Sequence, residues 1–314
     1  MKIVMLGHSN AGKTTYLTAA YYAMQHDPRI FQISAGRRDH RRLMRSGRVL
    51  AAGRGYPPPS DARSVHEFVA SRDGIDPVEI SWIDHRGGAA VAKTADGQAR
   101  RLQEDLSAAD AVLLFGDAER LVGHTHSQRE IDTLVPMLLR AFGDRGGSST
   151  IPFAVLITKV DALGDALDEL RPALHRPFTA LMDGVRRAEW AVARSFEVAC
   201  GPSARNVVEP LLWIMQAVID DRIDTHYTGL DASLATMRTK VAEDKVSARF
   251  RAHVNGVPTG QAIVRGELEK AIGALAALRP LHTVARELAA ALAHLGAVEP
   301  DGAPEGGQHQ AVPS

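Results

Sequence analysis

The chain has 314 residues with 37 basic and 37 acidic side chains, so its formal net charge is zero and nothing global favours a nucleic acid or an anionic membrane as partner. Its 45% hydrophobic and 24% charged residues are ordinary for a globular protein and exclude wholesale disorder. The one cysteine, Cys200, excludes an intrachain disulfide and a cysteine-cluster zinc site. No apolar run approaches the ~20 residues of a membrane span, and the short apolar opening does not read as a signal peptide, so the expected compartment is the reducing cytoplasm.

In chain order, "KIVML" reads as an apolar strand and runs directly into Gly7-His8-Ser9-Asn10-Ala11-Gly12-Lys13-Thr14. This matches G-x-x-x-x-G-K-[ST], a phosphate-binding loop. Glycines at both ends let the backbone curl so that successive N–H groups converge on one anion. The helix-forming run "KTTYLTAAYYAM" behind it, which begins with Lys13, Thr14 and Thr15, adds the positive end of its dipole. Lys13 would reach the outer phosphates, and the Thr14 hydroxyl would hold Mg²⁺.

"RIFQIS" and "SVHEFVAS" read as short strands flanking a polar insertion. The basic stretch "GRRDHRRLMRSGR", residues 36–48, reads as a solvated helix face, with an acidic partner or nucleic acid as the alternative. "PVEISWID" alternates and ends at Asp84, while "ADAVLLFGD" and "IPFAVLITKVD" are apolar runs of strands covered on both faces. "ARSFEVAC" is a weaker strand. Helices are expected near 97–108, 128–143, 177–189 and 205–222.

Alternating strands and helices predict an α/β fold, a P-loop NTPase with a doubly wound, mostly parallel sheet. Ligands then bind at the carboxyl ends of the strands, where Gly7, Asp84, Asp117, Asp161 and Cys200 all fall. After about residue 222 the strand signal stops. Leu230, Leu234, Met237, Val241 and Ala248 share one helical face, and Leu281, Leu288 and Leu295 follow at seven-residue spacing, predicting a C-terminal helical hairpin. Pro280 is expected to break or start a helix. The expected division is a nucleotide domain over 1–222, a helical extension over 223–297 and a disordered tail over 298–314. The histidines, including "HTH" at 124–126, form no recognisable metal set.

Thr158-Lys159-Val160-Asp161 fits [NT]-K-x-D at the end of a strand. An aspartate there accepts two hydrogen bonds from the ring N–H and exocyclic amine of guanine. Adenine offers neither, so such a carboxylate selects GTP and GDP over ATP. The Lys159 stem can cover one face of the base. Asp84-His85-Arg86-Gly87 supplies a D-x-x-G, in which Asp84 would hold Mg²⁺ through water and the Gly87 N–H would meet the γ-phosphate.

Carrying these three elements in this order, the chain resembles the TRAFAC-class small GTPases, the Ras-like and Era-like G domains. The phosphate loop and the "YPPPS" segment also look like bacterial GTPases of conflict-system and signalling operons, including the double-GTPase group. The resemblance implies a GTP-binding molecular switch that hydrolyses GTP with Mg²⁺ and answers to a protein effector or activator. It implies one switch segment before Asp84, another after it, and a base-contacting loop at "VACGPS", where the Ala199 or Cys200 N–H would face the guanine carbonyl.

Two departures bear on catalysis. Switch I of the family carries a threonine that binds Mg²⁺, but no threonine lies between Thr18 and Thr94; Ser60 keeps the hydroxyl and is the substitute, with Ser64 and Ser46 as competitors. After D-x-x-G, many Ras-like members carry a glutamine that orients the attacking water, whereas this chain has Gly88. Slow hydrolysis follows unless His85, another residue or a partner supplies that role. Asn10 matches the loop of cation-activated GTPases, where its carbonyl oxygen helps hold K⁺; alternatively it only tolerates a left-handed backbone. The rival functions are a nucleotide-holding scaffold, favoured by the same two departures, and a P-loop ATPase or small-molecule kinase.

Overall fold

A computed structural model describes residues 1–58, 62–85, 97–123, 131, 134, 136–138, 150–187, 191–243 and 260–297. Its centre is a seven-stranded sheet: β1 (Lys2–Leu6), β2 (Gln32–Ala35), β3 (Ser64–Ser71), β4 (Val78–Asp84), β5 (Ala111–Asp117), β6 (Ile151–Thr158) and β7 (Ala191–Val198). The order is β2-β3-β4-β1-β5-β6-β7. β2 and β3 pair antiparallel, as do β3 and β4, and the remaining neighbours are parallel. This is a P-loop-NTPase-like topology, a mostly parallel sheet between two helical layers, with a helical extension after it.

The continuous apolar runs follow from that burial, because successive side chains enter opposite cores. On β5, Val112 and Leu114 join one core, while Ala111, Leu113 and Phe115 join the other. The first core packs under α3 (Gly97–Ser107), α4 (Ala118–Gly123), α5 (Leu167–His175) and α6 (Thr179–Arg187). The second packs under α1 (Lys13–His26), α2 (Arg37–Ala51), α7 (Glu209–Glu243) and α8 (Gly260–Ala297).

The polar insertion between the first two short strands is α2. Leu43, Gly47 and Leu50 recur at helical spacing and turn inward; a Cβ at Gly47 would lie 2.6 Å from Tyr22 of α1, so the two helices approach closely there. Arg37, Arg38, Arg41, Arg45 and Arg48 are exposed, as the solvated-face reading expects.

Three sequence expectations are corrected. The helix expected at 205–222 starts at Glu209 and continues unbroken to Glu243, because its inward face passes from the sheet directly onto α8. The helix expected at 177–189 begins as a 3-10 turn, Arg176–Phe178, and becomes α6 at Thr179. Pro280 lies inside α8 without ending it. A mid-helix proline costs about 3 kcal/mol, and here Leu278, Val284 and Leu288, buried on both sides of it, hold the helix in place. Of the expected 128–143 helix only 131, 134 and 136–138 are described, and they are helical. Residues 124–126 and 298–314 lie outside the described residues. Among the described residues no helix is long and apolar enough to cross a membrane.

Candidate functional site

β1 ends at Leu6 and the chain turns at once through Gly7 and Gly12 into α1. Both glycines have positive φ, 150° and 84°. A Cβ at Gly7 would lie 2.9 Å from the Phe115 carbonyl oxygen, and one at Gly12 would lie 3.2 Å from Thr158 Oγ1. Any larger residue would push the loop off its neighbouring strands. Asn10 is also left-handed, with φ 68°, a conformation asparagine tolerates better than most residues. Ser9 and Asn10 are exposed, while Ala11 and Lys13 are buried.

Lys13 Nζ reaches back across the loop and donates to the carbonyls of Gly7 (3.1 Å) and His8 (3.2 Å). Burial holds its ammonium below the ordinary lysine value, with the Asp84 carboxylate opposing. Thr14 Oγ1 donates to Asp84 Oδ2 at 3.3 Å. Burial raises the Asp84 carboxyl above its usual value, against the Lys13 charge and the Thr14 hydroxyl. Asp84 Oδ1 is buried with no partner among the described residues. A buried oxygen left without a donor is costly, and a small hard cation beside Thr14 and Asp84 would relieve it. Two oxygen ligands, with the rest of the shell from water and phosphate, suit Mg²⁺. Among the described residues no group of three or more His, Cys, Asp or Glu side chains could hold a metal.

The loop between β1 and α1 is tied to the end of β6. Thr158 Oγ1 donates to the Ala11 carbonyl at 2.8 Å and lies 3.1 Å from the Gly116 carbonyl. Lys159, at φ 59°, swings its Nζ onto Asp117 Oδ2 at 2.6 Å. Asp117 in turn accepts the Glu119 N–H at the start of α4. A cavity of about 330 Å³ opens beside these groups, lined by Asn10, Gly12 and Thr15 on one wall and by Lys159, Asp161 and Cys200 on the other. Asp161 is exposed to it, and a Cβ at Gly201 would lie 3.4 Å from Asp161 Oδ2, so the carboxylate sits against the loop after β7.

In that loop the Ala199 N–H already donates to the Arg205 carbonyl at 3.1 Å, which leaves the Cys200 N–H as the freer of the two amides. Burial, with the Asp161 charge adding to it, pushes the Cys200 thiol up to about 12. At pH 8 its thiolate fraction is then on the order of a thousandfold below that of a free cysteine. Alkylation of the native protein, followed by mass, is expected to be slower by that factor than in denaturant. Rapid labelling of the native chain would show the thiol to be open.

Some residues were not visible in the sequence. Tyr56 and Glu119 also line the cavity; the signal for Tyr56 was an aromatic between Gly55 and Pro57, in a stretch read for Ser60 and for the family resemblance but not for its tyrosine. Asp105 of α3 collects Arg63 (2.6 and 3.0 Å), His85 Nε2 (2.9 Å) and Lys2 (3.3 Å). Burial would raise Asp105, but Arg63, His85 and Lys2 together hold it below the usual carboxylate value. Burial lowers the His85 imidazole, with Asp105 opposing. His85 is thus packed against α3 and engaged there. Ser60, Gly87 and Gly88 lie outside the described residues.

No protein-family model matches the chain, and no curated protein matches it. Two solved structures similar to it are a bacterial selenocysteine-specific elongation factor, EF-Sec, and the signal recognition particle receptor SRb-GTP/SRX complex from Chaetomium thermophilum. The first is 12% identical over 70% of this chain and 28% of that one, with TM-score 0.39. The second is 13% identical over 63% of this chain and 90% of that one, with TM-score 0.38.

Proposed function

We propose that the chain is a GTP-binding molecular switch that hydrolyses GTP slowly and signals to a protein partner. The observation that carries this reading is the Thr158 bridge. One hydroxyl joins the phosphate loop at Ala11 to the strand end that presents Lys159 and Asp161 across the cavity. Phosphates would lie on the amides of residues 9–15 with Lys13 compensating their charge, and the base would lie between the Lys159 stem and the Cys200 N–H, read by Asp161. Thr14 and Asp84, with Ser60 as third oxygen, would hold Mg²⁺, which supplies Lewis-acid charge when bound. The Gly87 N–H would meet the γ-phosphate. The direct test is competition between GTP and ATP for the purified protein; equal affinities would remove the guanine assignment.

A second reading, a scaffold that holds nucleotide without turning it over, is favoured by one observation. His85, the described side chain placed to act after Asp84, has its Nε2 engaged by Asp105. Single-turnover hydrolysis separates the two. The switch reading expects ~10⁻⁴ s⁻¹, the rate of unassisted Ras-like proteins; no phosphate release over days would favour the scaffold.

Asn10 lines the cavity together with Gly12 and Thr15. If its carboxamide oxygen helps hold K⁺, KCl at constant ionic strength should accelerate hydrolysis at least about tenfold over NaCl, since added positive charge stabilises the transition state. Asn10→Ala should erase that difference and leave GDP affinity nearly intact. Equal rates in both salts would leave Asn10 as a residue that shapes the loop.

A further inference from the structure

α2 carries six arginines and one acid, Asp39, in 15 residues, and buries Leu43, Gly47 and Leu50 against the core. At about 100° per residue, Arg37, Arg38, Arg41, Arg45 and Arg48 fall in one stripe on the opposite side. All five are exposed. Arg42, at the edge of the stripe, pairs with Asp39 at 3.0 Å and donates to His66 Nδ1 at 3.2 Å. The other five make no hydrogen bond or ion pair among the described residues.

Such a face weakens its own helix. Like charges three and four residues apart repel, as Arg37 and Arg41, Arg38 and Arg41, Arg41 and Arg45, and Arg45 and Arg48 do. Arg37 and Arg38 also stand in the first turn, where the helix dipole disfavours positive charge. A face that only keeps a chain soluble mixes both signs, as α8 does with Arg265–Glu269 and Lys270–Glu267. An anion laid along α2 would relieve both penalties.

The make-up of the stripe indicates which anion. Protein interfaces centre on apolar and aromatic anchors and deplete charge at their core, whereas nucleic-acid interfaces are far more positive. α2 has no Phe, Tyr or Trp, and Val49 is its one exposed large hydrophobic residue. From Arg37 to Arg48 the row is about 16 Å long. One strand of a duplex carries a phosphate about every 3.4 Å of its axis, so the row spans about five phosphates.

We propose that α2 is a docking surface for the phosphodiester backbone of a nucleic acid, bound along one strand by the five unpaired arginines. The planar guanidinium suits this, since it meets two phosphate oxygens at once. With no aromatic side chain on α2 to stack a base, the contact is to phosphates and independent of sequence. The inference does not depend on the nucleotide reading.

Fluorescence anisotropy of the full-length protein, with a labelled DNA duplex of about 20 base pairs and a labelled RNA single strand of about 20 nucleotides, tests this; the tighter arm names the source. Dissociation constants in the micromolar range are expected at about 100 mM KCl. Log affinity should fall against log salt with a slope of about −4 for the duplex and about −3 for the single strand. Arg41→Ala with Arg45→Ala should weaken binding at least about tenfold and make the slope shallower by roughly 1.5 to 2, with helical circular dichroism unchanged. Arg265→Ala with Arg286→Ala, at exposed positions of α8, should change neither; an equal loss there would overturn the proposal as mere charge attraction. Dissociation constants above about 100 µM for both probes would overturn it, as would binding that keeps its affinity and slope in the α2 variant. Tighter binding of polyglutamate than of either nucleic acid would overturn it too, and assign the stripe to an acidic protein.

Discussion

Lys13→Ala is expected to lower GTP affinity at least about a hundredfold while leaving the protein folded. The side chain is 6% exposed at the first position of α1, with its ammonium on the Gly7 and His8 carbonyls. A triphosphate entering the loop would take over part of that hydrogen bonding at short range, in a site partly screened from water. Each hydrogen bond to a charged group contributes about 1.5–3 kcal/mol, so losing two such contacts corresponds to roughly two to four orders of magnitude in affinity. Stability should change little, because burial already disfavours the Lys13 charge and its removal leaves two carbonyls that water or the ligand can reach. Titration with a fluorescent GTP analogue measures the effect, with a thermal melt as the folding control. Thr14→Ala should instead weaken chiefly the Mg²⁺-dependent part. A Lys13→Ala protein binding GTP within threefold of wild type would sink the phosphate-loop reading.

The strands and the turn from β1 into α1 were legible because their signals are local. "KIVML" followed by glycines, "PVEISWID" with its alternation, and the two apolar runs each encode burial within eight residues. What escaped was set at longer range. In α2 the inward residues Leu43, Gly47 and Leu50 have helical spacing, but six arginines between positions 37 and 48 dominate the stretch and hide its packing face. The run of α7 past residue 222 has no stop signal to read, since the helix merely exchanges the sheet for α8 as its support. Pro280 is a breaker by local rule and is overruled by the buried residues around it. The Asp105 cluster unites residues 2, 63, 85 and 105, which no spacing rule connects. The T-K-V-D motif shows neither the Thr158 bridge to Ala11 nor that Arg205 occupies the Ala199 amide.

Asp161→Asn is expected to convert the base preference. Wild type should bind GTP at least roughly a thousandfold more tightly than ATP, because a carboxylate that finds two donors on guanine meets none on adenine, and unpaired polar groups carry discrimination of 10⁴ or more. Asp161 is exposed to the cavity and has no hydrogen bond or ion pair among the described residues, so the substitution removes no structural contact. The amide has the same shape as the carboxylate, so it fits where a Cβ at Gly201 would lie only 3.4 Å from Oδ2. In the variant, the amide oxygen can still accept from the ring N–H of a purine, but its NH₂ group faces the exocyclic amine of guanine, donor against donor. GTP affinity should therefore fall about a hundredfold, the cost of one lost charge-assisted bond and one mismatched pair. Xanthosine triphosphate carries a carbonyl where guanine carries the amine, so the same NH₂ donates to it and XTP should become the preferred ligand. Competition of GTP, XTP and ATP against one fluorescent nucleotide, run on wild type and variant, reads all three affinities together. If the variant keeps wild-type affinity for GTP and gains none for XTP, Asp161 does not read the base, even if Lys13 binds the phosphates.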